Sequence, residues 1–448
     1  MAIFNILDYG AIGDGQTDVS VSFQKAITAA TEQGGGTIYV PSGTFITTSI
    51  RLTSNMTLDV SPGATVSFIA DQTVYPVVHS RWEGWTRDVY QSCIYAEDAT
   101  NITITGGGVI EGNGEYWWDI FRNRRDELKF PRPKLISFEK CERITIKDIH
   151  LQNSPAWTIN PILSNNITVD NVSIYNPSDS PNTDGIDPES CSNVRISNCN
   201  IDVGDDCIAI KAGTEDANEN VACENITITN CTMIHGHGGV VIGSEMTGDV
   251  RNVTISNCVF KQTDRGIRLK TRRGRGGIVE DIRVDNVVMD EVISPFILNL
   301  YYFCGPRGKE KYVWDKNPWP ITEETPTFRR IHFSNITARN VQGAAGFIYG
   351  LAENYISDVT FNNIDISLAE GAEPGQVAMM SHLEYMNNRG FYIGNGEDIS
   401  FNNVTVENHE GPMIYAENSR NIVAERCVSK NTKKPEKILE EKEVLFDE

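Results

Sequence analysis

One short pattern recurs eleven times along this chain and restricts its fold more than any other feature. Each copy opens on Asn, Asp or Arg, alternates apolar and polar residues, and commonly closes on Asn. The leading apolar residues are Ile102, Ile144, Ile167, Val194, Ile226, Val253, Ile282, Ile331, Val359, Ile399 and Ile422. Most copies follow one another at 23 to 32 residues, and three gaps are longer, at 42, 49 and 40. A unit of that length cannot bury its own apolar face, so the copies must stack. Alternation with period two marks strands, and gaps this short leave no room for the crossover helices of a doubly wound sheet. The Leu-x-x-Leu-x-Leu signature of leucine-rich repeats is missing. The expected architecture is therefore all-β: a right-handed parallel β-helix, or solenoid, with turns about 4.8 Å apart. The long gaps mark insertions or an unrecognised turn.

In chain order, residues 1–36 read as a strand and a short N-terminal capping helix. Thr17 or Asp18 is placed to cap that helix. Phe23, Ala26, Ile27 and Ala30 follow helical spacing, and Gly34-Gly35-Gly36 stops it. Coils with inserted loops are expected over 37–432 and a charged tail over 433–448, all within one domain spanning 1–448. A stack of repeats escapes the size at which single cores stop growing. Insertions at 111–133, 301–328 and 371–395 are expected to carry function, because loops on a rigid scaffold usually do. The first holds Tyr116-Trp117-Trp118 and the basic Arg122, Arg124 and Arg125. Asn198, Asn230, Asn257, Asn286 and Asn335 share one repeat position and suggest an inward ladder of stacked amides. Cys199, Cys231 and Cys258 occupy the next position and read as small buried hydrophobes rather than disulfides.

A formal charge of -21 argues against nucleic acid held on a general basic surface. No apolar run of 18 residues exists, so no membrane-spanning helix is expected. Ten cysteines in 448 residues are too sparse for a disulfide scaffold. No basic segment followed by an apolar one opens the sequence, which favours a cytoplasmic location unless a signal was removed.

Chemistry concentrates between residues 182 and 270. Asn182-Thr183-Asp184 is followed by Gly204-Asp205-Asp206, Gly236-His237-Gly238 and Arg268-Leu269-Lys270. Asp184 and Asp205 are 21 residues apart, while Asp206 to His237 and His237 to Arg268 are each 31. Those intervals are close to one turn of the proposed coil, so the side chains would line one face. Splitting a glycosidic bond needs a protonated acid on the leaving oxygen and an ionised base on water. Like charges in contact raise one carboxyl's pKa and keep it protonated. Asp205 and Asp206 would face opposite ways on a flat strand, so the chain must bend there, and Gly204 permits it. An Asp-Asp pair alone is commonly a solvated turn; Asp184 one repeat earlier reverses that balance. His237 between glycines also fits a turn, and with His235 it lacks the further ligands a zinc site requires. Six cations fall within residues 265–275 of an acidic chain. Arg268 and Lys270 alternate with Ile267 and Leu269, which places both cations on one strand face, suited to a carboxylated sugar.

These four motifs, in this order and spacing, resemble glycoside hydrolase family 28, the polygalacturonase family, and are most like intracellular bacterial exo-polygalacturonases. The family's fourth motif is usually Arg-Ile-Lys, so Leu269 is a conservative departure. The opening Asp8-Tyr9-Gly10-Ala11 and Gly13-Asp14-Gly15 are similar to the entry of pectin-degrading β-helices, so the likeness covers nearly the whole chain. The resemblance implies an inverting hydrolase of α-1,4-galacturonosyl bonds, with no metal and no cofactor. It implies Asp205 as general acid, Asp184 and Asp206 as the groups that position and deprotonate water, and His237 as sustaining the acid. Arg268 and Lys270 would hold the galacturonate carboxylate, with Tyr302 at the same subsite and Asn182 orienting Asp184. The Asp-Asp form favours polygalacturonan over rhamnogalacturonan, whose hydrolases resemble a Gly-Asp-Glu variant.

The partner expected is a galacturonate-containing oligo- or polysaccharide, with neither nucleic acid nor membrane involved. Long insertions, the cationic stretch and the absent signal suggest an exo-acting enzyme. The alternatives are a rhamnogalacturonan or xylogalacturonan hydrolase, a pectate lyase on the same fold, and a non-catalytic carbohydrate-binding β-helix. A binder has little use for three acids at this spacing. Oligomeric state is left open.

Overall fold

The computed structural model describes residues 2–305 and 307–432, with the backbone of Val444–Asp447. The charged tail expected over 433–448 lies otherwise outside the described residues; Val444–Asp447 pairs parallel with Arg420–Glu425. The chain forms two compact units. The first comprises residues 1–209 with 224–227, the second 210–223 with 228–448.

The first unit is a stack of parallel β-coils in the register the repeats call for. Ile102 pairs with Ile144, Ile144 with Ile167 and Ile167 with Val194. The gap of 42 is thus an insertion. Two earlier coils precede the eleven copies, since Thr37 pairs with Thr57 and Thr57 with Thr103, and the second of them opens on Asn55 in the same pattern. A second parallel sheet runs through Ile50–Arg51, Ile94–Glu97, Ile136–Glu139 and Ile159–Ile162. The capping helix spans Ser20–Glu32 and buries Phe23, Ala26, Ile27 and Ala30. Its N-cap is Val19, which has no capping side chain; Asp18 accepts instead from the Ser20 amide at 2.9 Å. The cap expected at Thr17 or Asp18 is therefore displaced by one residue from Asp18, because Val19 hydrogen-bonds in register to Ile46.

An antiparallel hairpin, Val77–Trp82 with Trp85–Tyr90, packs on this unit with Trp82 stacked on Trp157 at 5.2 Å. Its loop residues Glu83 and Gly84 have φ of 49° and 87°, the paired left-handed geometry of the tightest hairpins. The 111–133 insertion folds into a helix, Gly114–Asn123. Trp117 and Trp118 are both buried, with Trp117 edge-on to Tyr75 at 5.5 Å and the Trp118 indole donating to the Ser154 carbonyl. They are core rather than a sugar platform.

In the second unit Val253 pairs with Ile282, Ile282 with Ile331, Ile331 with Val359, Val359 with Ile399 and Ile399 with Ile422. The gaps of 49 and 40 are again insertions. A further sheet carries Val240–Gly243, Arg265–Lys270, Ser294–Asn299 and Ala344–Tyr349 in parallel. Inside, Phe333, Phe361 and Phe401 stack in succession at 5.0 and 4.9 Å. Full burial of such a side chain is worth about 1.5–3 kcal/mol.

The amide ladder exists but faces outward. Asn198, Asn230, Asn257, Asn286 and Asn335 are exposed, each with φ between 53° and 57°. The coil bends at these left-handed residues, and Asn is among the few side chains tolerated there. The alternating strand already fills the interior, so the bend residue points to solvent. Amides still stack: Asn286 donates to Asn257, and Asn363 to Asn335, both at 2.7 Å. Among the described residues no cysteine is in a disulfide, and Cys199, Cys231 and Cys258 are buried.

Candidate active site

In the first unit, Ile159, Ile186 and Ile208 bridge in register on three successive coils. Asp184 lies two residues before Ile186 and Asp206 two before Ile208, so these carboxylates are stacked equivalents one coil apart. The Gly185 amide donates to the Asp206 carbonyl at 3.0 Å and locks that register. Asp205 follows the end of Asn200–Val203, where the chain leaves the strand at Gly204. A Cβ at Gly204 would lie 2.3 Å from the Ser180 carbonyl oxygen and 2.7 Å from that of Pro177, so only glycine admits the bend. The Asp205 side chain accepts from the Asp206 amide at 2.9 Å. One oxygen from each of Asp184, Asp205 and Asp206 lies within 4.8 Å of the others. Asp184 and Asp206 are buried, at 3% and 1% exposure, while Asp205 is partly open. The bend needed to gather all three is therefore present.

Arg132 was invisible to the sequence reading. Its side chain is 1% exposed, and it donates to the Pro155 and Pro181 carbonyls and, at 2.7 Å, to Asn182 Oδ1. Burial and the neighbouring Arg125 lower its pKa to about 9, while Asp184, Glu83 and Asp205 oppose the shift. It stays a cation at neutral pH beside the acid trio. No motif announces it; the only signal is a basic residue between two prolines.

In the second unit, Arg268 and Lys270 alternate with fully buried Ile267 and Leu269 on Arg265–Lys270. They are not a solvated face, being 4% and 6% exposed. Tyr302 lies beneath both, with the Arg268 guanidinium 5.6 Å and the Lys270 ammonium 5.2 Å from its ring centre. Arg268 also donates to the His237 carbonyl at 3.4 Å and to Met379 Sδ at 3.2 Å. The His237 ring is exposed, and its Nδ1 pairs with Asp264 at 2.7 Å. Burial works to raise the Asp264 pKa, but the His237 hydrogen bond and the charges of Arg265 and Arg268 hold it below the usual carboxylate value.

The other cations of the run fasten loops. Arg265 donates to the Gln376 and Val377 carbonyls, and Arg273 to Tyr312, Asp315 and the Glu353 carboxylate. Arg272 and Arg275 share Glu215. The 301–328 and 371–395 insertions are thereby tied to the 265–275 segment that carries Arg268 and Lys270. Behind them Glu245 lies 3.2 Å from Lys211. Burial favours its neutral form, but Lys211, Arg275 and Lys270 together pull its pKa down to about 2.

The pattern defining glycosyl hydrolases family 28 matches residues 31–382 of this sequence. The chain belongs to glycosyl hydrolase family 28. A probable polygalacturonase of Vitis vinifera is 33% identical over 381 residues, covering 82% of this chain and 75% of that protein. The crystal structure of a hyperthermoactive exopolygalacturonase from Thermotoga maritima superposes with a TM-score of 0.74 at 34% identity, covering 82% of this chain and 88% of that one. A family 28 exopolygalacturonase of Yersinia enterocolitica shares the fold, with a TM-score of 0.76 at 22% identity over 97% of this chain and 78% of its own. This family 28 member is a glycoside hydrolase built as a right-handed parallel β-helix. Sequence reasoning missed Arg132 and Asp264 in it. The latter sits one repeat after His237 and next to Arg265, a juxtaposition only the register reveals.

Proposed function

We propose that this hydrolase cleaves α-1,4-galacturonosyl bonds of polygalacturonate and its oligomers, releasing product from chain ends. The observation that carries this reading is the convergence of Asp184, Asp205 and Asp206 within 4.8 Å. Asp205, the most open of the three, protonates the leaving oxygen. Asp184 and Asp206, stacked on adjacent coils, hold and deprotonate the attacking water. His237, braced by Asp264, sustains the acid. Arg268 and Lys270 over Tyr302 bind a uronate carboxylate, and Asn182, held by Arg132, shapes the approach to Asp184. The fastened insertions at 301–328 and 371–395, and the likeness to the Thermotoga maritima exopolygalacturonase, support cleavage from an end.

Stereochemistry pulls in two directions. Inverting pairs usually stand about 6.5–9.5 Å apart, and the nearest oxygens here are closer. Two bases facing one acid, in the family's motif, favour inversion, since a water bridging Asp184 and Asp206 needs no nucleophilic carboxylate. Proton NMR of the first anomer released decides between them.

The central test is Asp205→Asn on defined galacturonate oligomers. Turnover is expected to fall by about 10²–10⁴, the worth of general acid catalysis. Activity that survives the substitution would refute the assignment. A product absorbing in the ultraviolet and lost to chelator would indicate a lyase, and early release of mid-length fragments from polymer would exclude end-wise action.

A further inference from the structure

The 77–90 hairpin and the 111–133 insertion line a groove of about 270 Å³ in the first unit. Arg87 enters it from the hairpin, and Arg125, Lys129 and Arg132 from the insertion; Glu83 is the one carboxylate on its lining. Four cations against one anion is a strong local field in a chain of net charge -21. Arg122 and Arg124 of the same insertion are neutralised by Asp179, Asp119 and Glu127. Among the described residues no carboxylate lies within ion-pair distance of Arg87, Arg125 or Lys129. Aromatic rings hold the guanidinium groups instead. Arg132 and Arg125 flank Phe121 at 4.0 and 4.4 Å, and Arg87 lies 4.6 Å over Trp85. Such contacts fix direction without cancelling charge. Arg125 and Arg132 repel one another across a single ring, and an incoming carboxylate would relieve that repulsion.

Asn182, two residues before Asp184, also lines the groove and accepts from Arg132. That Arg132 is near enough to the acid trio for the charges of Asp184 and Asp205 to act on it. We infer that the groove binds a further uronate carboxylate of the substrate, on a sugar beyond the two that flank the bond being cut. This assignment rests on the hydrolase reading above and adds to it a length and charge requirement. Preference for longer anionic oligomers is set by Arg87, Arg125 and Lys129, which act on binding and not on bond cleavage.

The test compares di- and hexagalacturonate as substrates of the wild type and the Arg87→Gln/Arg125→Gln/Lys129→Gln variant. The ratio of kcat/KM for hexamer over dimer is expected to fall about tenfold or more. The change should appear in KM, with an unaltered melting temperature because these side chains reach solvent. Equal losses on both substrates, or no loss on the hexamer, would overturn the inference. Calorimetric binding to the Asp205→Asn protein gives an independent reading. Hexagalacturonate should bind the triple variant more weakly, while its fully methyl-esterified form should bind both backgrounds alike. If the wild type cleaves no galacturonate oligomer yet hexamer binding still depends on the three cations, the hydrolase reading fails and this site stands.

Discussion

Replacing Gly204 with alanine would test whether the bend at Asp205 is dictated by close packing. The added methyl would lie 2.3 Å from the Ser180 carbonyl oxygen and 2.7 Å from that of Pro177. Ordinary carbon–oxygen contact is about 3.3 Å, so the strand end or the 177–180 loop must yield by about 1 Å. Both obstructing atoms are backbone, and packed interiors give way reluctantly. Overpacking of this kind costs about 1–3 kcal/mol. For a unit of this size that lowers Tm by roughly 2–12 °C. The displaced atoms carry Asp205 and Asp206, and a misplacement of about 1 Å costs on the order of 10²-fold in turnover. KM should change little, since the proposed carboxylate-binding cations lie elsewhere in the sequence. Circular dichroism melts and initial rates on galacturonate oligomers measure both effects. Asp205→Asn is the control, losing turnover while keeping Tm. Wild-type kcat and Tm in Gly204→Ala would refute the reasoning, because the close contact would then have no consequence.

Three further outcomes are expected. The Glu245 carboxyl has a folded pKa of about 2 against an ordinary 4.5, so its contribution to stability is complete above pH 4.5 and is lost as pH falls toward 2. Glu245→Gln should flatten that stretch of the stability–pH curve in acid melts while lowering Tm at neutral pH. Asp264→Asn removes the brace on His237 Nδ1 and should cut kcat by about tenfold or more with KM nearly constant, measured by steady-state kinetics. Phe361→Ala opens a void between Phe333 and Phe401 and should cost about 3–5 kcal/mol, read from denaturant unfolding of the full chain.

The coils were legible because their period is written in strand alternation, so Val253 and Ile282, an ordinary interval apart, could be matched from the sequence. The acid trio was legible because Asp184 and Asp205 stand 21 residues apart, close to one ordinary coil. What escaped was of two kinds. Before residue 101 only Asn55-Met56-Thr57-Leu58-Asp59 carries the signature, and other bends there use glycine, such as Gly35, Gly43 and Gly63 at φ of 128°, 140° and 82°. The hairpin at 77–90 carried its own signal in Glu83-Gly84 between two tryptophans, passed over in the search for one period. Arg132 and Asp264 had no local signal, because each acquires its neighbours only when distant segments fold together. The outward turn of the amide ladder follows from a rule that sequence spacing alone does not express: a left-handed residue between inward-facing neighbours must face water.

The direct pairing of Ile282 with Ile331, and of Val359 with Ile399, separates two properties that most folds bind together. Chain length between neighbouring rungs is free to vary while the rungs themselves stay aligned. Closing a loop twice as long costs only about 0.6 kcal/mol. Substrate range in such an architecture can therefore drift by swapping excursions at its edge, while the acids stay where the rungs put them.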